Sequence, residues 1–343
     1  MIRVFVVDDS PFVRRALSRV LATQPGFKVV GAAESGAEAL AKVPAADPDF
    51  VTLDVEMPGM DGLQVLPALL RWKPSLRVVM LSAHTREGAT ATVAALAAGA
   101  VDFIDKSAFN VMDLEFLRRE VVDRMQALVP AKGGAVLGNG RQAPETADHA
   151  VLSELRHCDL CVIGASTGGP PALQRILERL PARFPLPIVV VQHMPPSFTE
   201  AFAKRLDALC RLRVTEAAEG MRLAPGQVVV APGGRHVRIS SGLAVVLTPE
   251  PCEARHIPSI DVTMRSAARS RPGRVLGILL TGMGEDGADG MATIRAGGGV
   301  TIAESEASCV VYGMPRAAVR RGGASLVLPL EEIAGLLAAL PSL

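Results

Sequence analysis

Short β-branched apolar runs alternate with helix-spaced segments five times over the first 125 or so residues, and that rhythm admits few folds. The runs fall near residues 2–7, 27–32, 50–53, 77–81 and 101–104, each of strand length. Between them, residues 11–24, 35–43, 61–72, 86–98 and 112–128 carry apolar side chains at the spacing of amphipathic helices. Runs that are apolar throughout, rather than alternating, suit a parallel sheet covered on both faces. Five βα units in succession therefore predict an α/β domain over residues 1–125.

Across 126–154 the pattern lapses. Gly, Pro and polar residues without an apolar period, including Lys132-Gly133-Gly134 and Gly138-Asn139-Gly140, predict a flexible linker. A second α/β pattern fills 155–343. Strands are predicted at 159–163, 187–191, 227–231, 243–247, 275–280 and 299–302. Helices are predicted at 170–180, 197–209, 260–270, 286–296, 313–320 and 330–339. This half does not repeat the first, and it reads as a doubly wound, mostly parallel domain.

A length of 343 residues suffices for two full cores. With 49% apolar and 21% charged residues, the chain is not a disordered one. Its 36 Lys+Arg balance 35 Asp+Glu for a net charge of +1, and aromatics are only 3%. That argues against a general nucleic-acid binder and against a polybasic membrane anchor. The acidic-to-neutral segment 330–339 likewise lacks the basic recognition helix a transcription regulator needs. The run Val4-Phe5-Val6-Val7 is too short for a secretion signal, and no run of about 18 apolar residues occurs, so a cytoplasmic protein is expected. Cys158 and Cys161 match C-x-x-C, but no second pair follows; they are expected to be buried strand residues rather than metal ligands.

In an open parallel sheet, ligands bind beyond the carboxyl ends of the strands. Asp8 and Asp9 follow the first strand run, Asp54 the third, Ser82 the fourth, and Lys106 stands just past the fifth. Three carboxylates in one cleft repel unless a cation neutralises them, and hard oxygen ligands suit Mg²⁺. A carboxylate beside that ion can attack phosphorus, with Lys106 and Ser82 holding the phosphoryl oxygens. Taken singly, Asp8 and Asp9 could merely cap the helix entered at Ser10-Pro11.

Val7-Asp8-Asp9-Ser10, Asp54-Val55-Glu56-Met57-Pro58-Gly59-Met60-Asp61-Gly62, Ser82-Ala83 and Asp105-Lys106 resemble a response-regulator receiver domain over about residues 1–125. The resemblance implies a (βα)5 flavodoxin-like fold and two-component signalling. It makes Asp54 the residue phosphorylated by a partner histidine kinase, Asp8 and Asp9 further Mg²⁺ ligands, Ser82 the switch hydroxyl and Lys106 the phosphoryl contact. Two departures stand out: Ser107 replaces the usual Pro after the lysine, and Phe103 takes the second switch position.

The second half carries Gly164-Ala165-Ser166-Thr167-Gly168, a G-x-S-x-G turn between the strand run 160–163 and a helix opening at Pro170-Pro171. That context suits a nucleophilic serine whose oxygen lies at a helix N-terminus, close to backbone N–H groups. A phosphate-binding turn is the main rival, but the Lys of a P-loop is missing. Serine needs a base. Of the six histidines, His149 and His157 border the linker, His84 belongs to the first half, His236 looks like a turn residue after Gly233-Gly234, and His256 sits in a Pro-flanked stretch. His193 follows the strand run 188–191 and would lie beside Ser166 if the two strands are neighbours. Glu285, Asp286, Asp289 and Asp261 compete to orient it. The order Ser, His, Asp disfavours an α/β-hydrolase.

Gly164 to Pro170, Gln192-His193-Met194, Ala231-Pro232-Gly233-Gly234, Pro258-Ser259-Ile260-Asp261 and Thr281-Gly282-Met283-Gly284 through Asp286-Gly287 resemble the chemotaxis protein-glutamate methylesterases of the CheB type, over about 155–343. Receiver, linker and this domain in that order match the family architecture. The resemblance implies Ser166 as nucleophile, His193 as base and Asp286 as the orienting acid, with the N–H groups of Thr167 and Met283 at the oxyanion. It also implies chemoreceptor methyl esters as substrate, a CheA-type kinase as phosphodonor, no cofactor for the esterase step, and glutamine deamidation in some relatives. By that architecture, the unphosphorylated receiver is expected to cover the serine site.

Overall fold

All five apolar runs of the first half form strands. The fold is described from a computed structural model over residues 1–83, 85–106, 118–129, 154–252 and 254–342. Two compact units emerge, Met1–Pro130 and Ala131–Leu343. Of the expected linker, 130–153 lies outside the described residues, as do His84, Ser107 and His149, while a helical turn reaches Ala127.

In the first unit β1 (Ile2–Val7), β2 (Phe27–Ala33), β3 (Phe50–Asp54), β4 (Arg77–Ser82) and β5 (Asp102–Asp105) pair in parallel in the order β2-β1-β3-β4-β5. Helices Pro11–Ala22, Gly36–Ala46, Gly62–Trp72 and Arg86–Ala97 connect them. Local sequence sets their starts. Ser10 caps the first helix ahead of Pro11, and Asp61 with Gln64 forms a capping box on the third. The expected helix over 112–128 is described only from residue 118, as a π-helical stretch Arg118–Asp123 that runs into Arg124–Ala127. Val4, Val6, Val51, Leu53, Val79 and Leu81 are fully buried, which fixes the sheet's register between its helical layers. The strand order reverses beside β1, so the ends of β1 and β3 flank a crevice.

The second unit is built on seven parallel strands in the order β14-β13-β12-β6-β7-β9-β8. These are β6 (Leu160–Ala165), β7 (Ile188–Gln192), β8 (Arg213–Glu216), β9 (Gln227–Val230), β12 (Val275–Leu279), β13 (Val300–Glu304) and β14 (Leu326–Leu328). The expected strand near 243–247 is present as β11 (Val245–Thr248), but it leaves the main sheet and pairs antiparallel with β10 (His236–Ile239). Strands β8, β10 and β14 were not expected. β6 and β7 are neighbours, so His193 does lie beside the serine turn. β12 flanks β6 on its other side, also in parallel, so the strand order reverses beside β6. Helices Gly169–Arg179, Phe198–Leu209, Ile260–Ser270, Ala288–Ala296, Met314–Arg320 and Leu330–Ala339 cover the sheet. Cys161 is wholly buried in β6 and Cys158 is buried just before it, both as free thiols.

One residue reads differently in three dimensions. His236 is not in a turn but fully buried in β10. Its Nδ1 accepts the Ser259 N–H at 3.0 Å and its Nε2 lies 3.1 Å from the Pro251 carbonyl, so a neutral ring is satisfied on both sides. The glycines before it turn the chain; the histidine begins the strand.

Candidate functional site

The serine turn is tight because of its glycines. Gly168 takes a left-handed φ of 75°, while Ser166 does not, so the strained position falls on a residue without Cβ. At Gly169, where the helix begins, an added Cβ would sit 2.1 Å from Gln192 Oε1. The turn is anchored on both sides. Ser166 N–H donates to Thr281 O at 3.0 Å, and His193 N–H donates to Ala165 O at 3.1 Å. Gln192 is buried and bridges the two, its Nε2 donating to Ser166 O at 3.0 Å and His193 O at 3.2 Å.

His193 Nδ1 stands 3.2 Å from Ser166 Oγ, and its Nε2 stands 2.8 Å from Asp286 Oδ2. An ionised carboxylate can only accept, so Nε2 carries the proton and Nδ1 is bare toward the serine hydroxyl. Asp286 collects three more donors: Ser259 Oγ at 2.9 Å, Ile260 N–H at 2.7 Å and Asp261 N–H at 3.0 Å. These belong to the N-terminus of the helix Ile260–Ser270, where a negative charge is favoured. Burial alone would raise the Asp286 carboxyl, but the His193 hydrogen bond and these backbone donors hold it well below the ordinary range.

The rival acids are engaged elsewhere. Asp289 pairs with Arg265 at 2.7 Å and Arg321 at 2.6 Å, Glu285 also pairs with Arg321, and Asp261 accepts the Gly290 N–H at 2.6 Å. His256 stacks on His193 with ring centroids 4.1 Å apart and planes inclined by 16°. A cleft of about 370 Å³ opens beside the triad, with Arg255, His256, Gly284 and Asp286 in its wall. Thr167 is buried in the serine turn, and the Met283 N–H has no hydrogen-bond partner among the described residues.

In the first unit, oxygens of Asp8, Asp9 and Asp54 lie within 4.8 Å of one another. Asp8 and Asp54 are fully buried, and Asp9 is exposed. Lys106 Nζ reaches Asp54 at 2.6 Å and Asp8 at 3.3 Å. One ammonium thus serves two buried carboxylates. Burial first, then the Asp8 charge, pushes Asp54 up to about 6, and burial raises Asp8 as well. Burial opposes the charge on Lys106, but its contacts with Asp54 and Asp8 win and raise it. A cluster short of positive charge, with three hard oxygens in reach of one point, fits a divalent cation. Ser82 is buried and donates to Gly88 O at 3.2 Å, while Phe103 is buried on β5. A cleft of about 540 Å³, lined among others by Asp9, Glu56, Met57 and Asp61, opens beside the cluster.

Sequence reasoning gave no role to Gln192, Ser259, His256 or Thr281. Ser259 had a readable signal, since a serine just before a helical pattern is an N-cap, and a helix N-terminus attracts an anion. The other three act through backbone groups or ring stacking, which residue type does not announce.

Comparison with known proteins identifies the family. The CheB methylesterase family model matches residues 161–337, and the response regulator receiver domain model matches residues 4–115. A protein-glutamate methylesterase/protein-glutamine glutaminase of Oleidesulfovibrio alaskensis is 42% identical, covering 97% of this chain and 98% of the relative. One from Symbiobacterium thermophilum is 44% identical over 97% and 95%. The crystal structure of the Thermotoga maritima CheB methylesterase catalytic domain is 40% identical with a TM-score of 0.52, covering 53% of this chain and 98% of that one. No described helix is long and apolar enough to cross a membrane. With two family models on its two units and relatives aligned along nearly its whole length, the chain belongs to the CheB family, a receiver domain followed by a methylesterase domain.

Proposed function

We propose that this chain is a phosphorylation-regulated serine hydrolase that demethylates glutamate methyl esters on chemoreceptors, in chemotaxis adaptation. One observation carries the chemistry: the hydroxyl of Ser166, the imidazole of His193 and the carboxylate of Asp286 stand in hydrogen-bonded series, at 3.2 and 2.8 Å. Ser166 Oγ attacks the ester carbonyl carbon as His193 Nδ1 takes its proton. The carbonyl π electrons move to oxygen, where the N–H groups of Thr167 and Met283 stabilise the charge. Collapse of this species breaks the bond to the methoxy oxygen; His193 returns the proton and methanol leaves. Water, deprotonated by His193, then opens the acyl-enzyme, freeing glutamate and Ser166. Asp286 stays ionised throughout and stabilises the imidazolium. A glutamine side chain would follow the same path with ammonia leaving, in keeping with the paired activities in the relatives' names. Each turnover by either route leaves a carboxylate on the receptor helix, and several such changes bias its two-state balance.

Asp54 is the phosphoryl acceptor in this reading. Its carboxylate oxygen bonds to phosphorus as the phosphohistidine P–N bond of a CheA-type kinase breaks, the imidazole leaving with the electron pair. Lys106 holds phosphoryl oxygens, and Ser82 joins it after turning from Gly88 O. Asp8, Asp9 and Asp54 would hold Mg²⁺, which offsets the charge of carboxylates and phosphoryl oxygens brought together. Phosphorylation relieves a restraint that the receiver places on the esterase, and the reaction belongs to the cytoplasmic side of the receptor.

Methanol release from methylated receptor membranes tests the whole scheme, with and without a small phosphodonor plus Mg²⁺. The wild type is expected to be active and stimulated, Ser166→Ala inactive, and Asp54→Asn active but unstimulated. A wild type that releases no methanol, even when phosphorylated, overturns the esterase reading. A chain lacking residues 1–150 that runs no faster than the unphosphorylated full chain overturns the restraint.

A further inference from the structure

The two oxyanion N–H groups belong to different loops, Thr167 after β6 and Met283 after β12. Such donors work only at hydrogen-bond distance from the developing charge, so their separation must be held. Thr281 stands at that seam and is 1% exposed. Its carbonyl accepts the Ser166 N–H at 3.0 Å, and its Oγ1 donates to the Thr167 carbonyl at 2.9 Å. The same Oγ1 accepts the Val311 N–H at 2.9 Å, and Gly282 N–H returns to Val311 O at 3.0 Å. One side chain and its peptide units thus tie the serine turn, the Met283 loop and the segment around Val311.

Thr281 is itself held. Its N–H donates to Glu304 Oε2 at 2.8 Å, and Glu304 Oε1 accepts from Ser308 Oγ at 2.9 Å. Glu304 is fully buried at the end of β13 and makes no ion pair among the described residues. A buried carboxyl without a cation is costly, and a valine at 281 would match threonine in shape without bringing a buried hydroxyl. Packing alone therefore explains neither residue. The Thr281 hydroxyl donates to the loop that carries the Thr167 N–H, and one Glu304 oxygen holds the peptide two residues before Met283.

We propose that Thr281, braced by Glu304, is the positioning residue of the oxyanion site: it sets where the Thr167 and Met283 N–H groups point. The proposal rests on the esterase reading above and deepens it. The test uses the full-length, phosphodonor-activated chain with methylated receptor membranes. It also uses an alkylboronic acid, which adds to the serine oxygen as a tetrahedral adduct. Removing one oxyanion donor costs about 10²–10³ in kcat, so displacing donors in Thr281→Val should cost roughly 30-fold. The boronate should weaken by about the same factor, while KM moves by less than about threefold, because only transition-state binding is lost. Thr281→Ser keeps the hydroxyl and should stay within about threefold of wild type on both readouts. Glu304→Gln should lower kcat and boronate affinity together, by roughly 3- to 10-fold.

An unchanged kcat in a folded Thr281→Val chain overturns the proposal. So does a kcat loss without matching loss of boronate affinity, since that is the mark of a merely structural role. Should Thr281→Val not fold, Glu304→Gln decides by the same paired readout. An inactive wild type instead defeats the esterase reading and is told apart by its own control.

Discussion

Asp54 and Asp286 are both aspartates in the carboxyl-end crevice of a parallel sheet, near the point where strand order reverses, and their surroundings could hardly differ more. Asp286 receives His193, Ser259 Oγ and two backbone N–H groups at 2.7–3.0 Å, and its carboxyl is held well below the usual range. Asp54 receives one backbone N–H, from Glu56 at 3.2 Å, and shares the Lys106 ammonium with Asp8; its carboxyl is pushed up to about 6. A saturated carboxylate remains an anion and orients its partner. An undersupplied one is kept reactive and short of positive charge, the condition a phosphoryl acceptor beside a cation requires. One fold principle places both, and the local donors decide which chemistry follows.

The largest expected effect separates the two sites. On the proposed roles, Ser166→Ala should lower methanol release by about 10⁴-fold or more, because His193, Asp286 and the oxyanion donors would then have no nucleophile to serve. Phosphoryl uptake at Asp54, followed by mass spectrometry, should be untouched. A loss of both would show that the serine turn supports the receiver, and the comparison would fail.

Asp286→Asn should follow, lowering kcat by roughly 10³- to 10⁴-fold, since an amide can present the wrong group to Nε2. It should also alter the acid side of stability. A carboxyl whose folded pKa is depressed stabilises the fold above its unfolded value, near 4, and loses that contribution as pH falls. Wild-type urea midpoints should therefore drop below about pH 5, and those of Asp286→Asn should drop less. Parallel curves would remove the saturated-anion account of this residue.

Asp54→Asn reverses the sign. A carboxyl raised to about 6 costs the folded state free energy once pH rises through the window from about 4 to 6, and the full cost stands above it. In EDTA at pH 7.5 the variant should be more stable than wild type by on the order of 1–3 kcal/mol. The gap should close toward pH 4, and Mg²⁺ should raise the Tm of the wild type more than that of the variant. A variant less stable at pH 7.5 would mean the Lys106 contact already compensates the pair.

How much of this is legible in sequence follows the same physics. Long β-branched runs reveal central strands, because burial on both faces leaves no room for polar residues. Arg213–Glu216 and His236–Ile239 escape notice because charged and polar residues break up their apolar positions, and Leu326–Leu328 because three residues are too few to show a run. Ser166 and His193 are readable because each directly follows a strand, at the one place in such a sheet where ligands sit. Asp286 is one acid among four until the fold brings the N-terminus of the helix Ile260–Ser270 against it. Gln192 and Thr281 remain silent because their partners are main-chain groups, which every sequence contains.

The smallest predicted effect probes how far Asp286 exceeds its needs. Ser259 Oγ donates to Asp286 Oδ1 at 2.9 Å and also accepts the Val262 N–H at 3.3 Å as cap of the helix Ile260–Ser270. Ser259→Ala removes both, and loss of such a cap costs about 1 kcal/mol of stability. Catalysis should suffer less than stability: three of the four donors to Asp286 remain, two of them backbone groups that no side-chain change removes. A kcat within about threefold of wild type is expected. An Asp286 poised at the edge of sufficiency, as Asp54 is, would instead show a loss approaching that of Asp286→Asn. The contrast between the two aspartates would then be one of degree and not of kind.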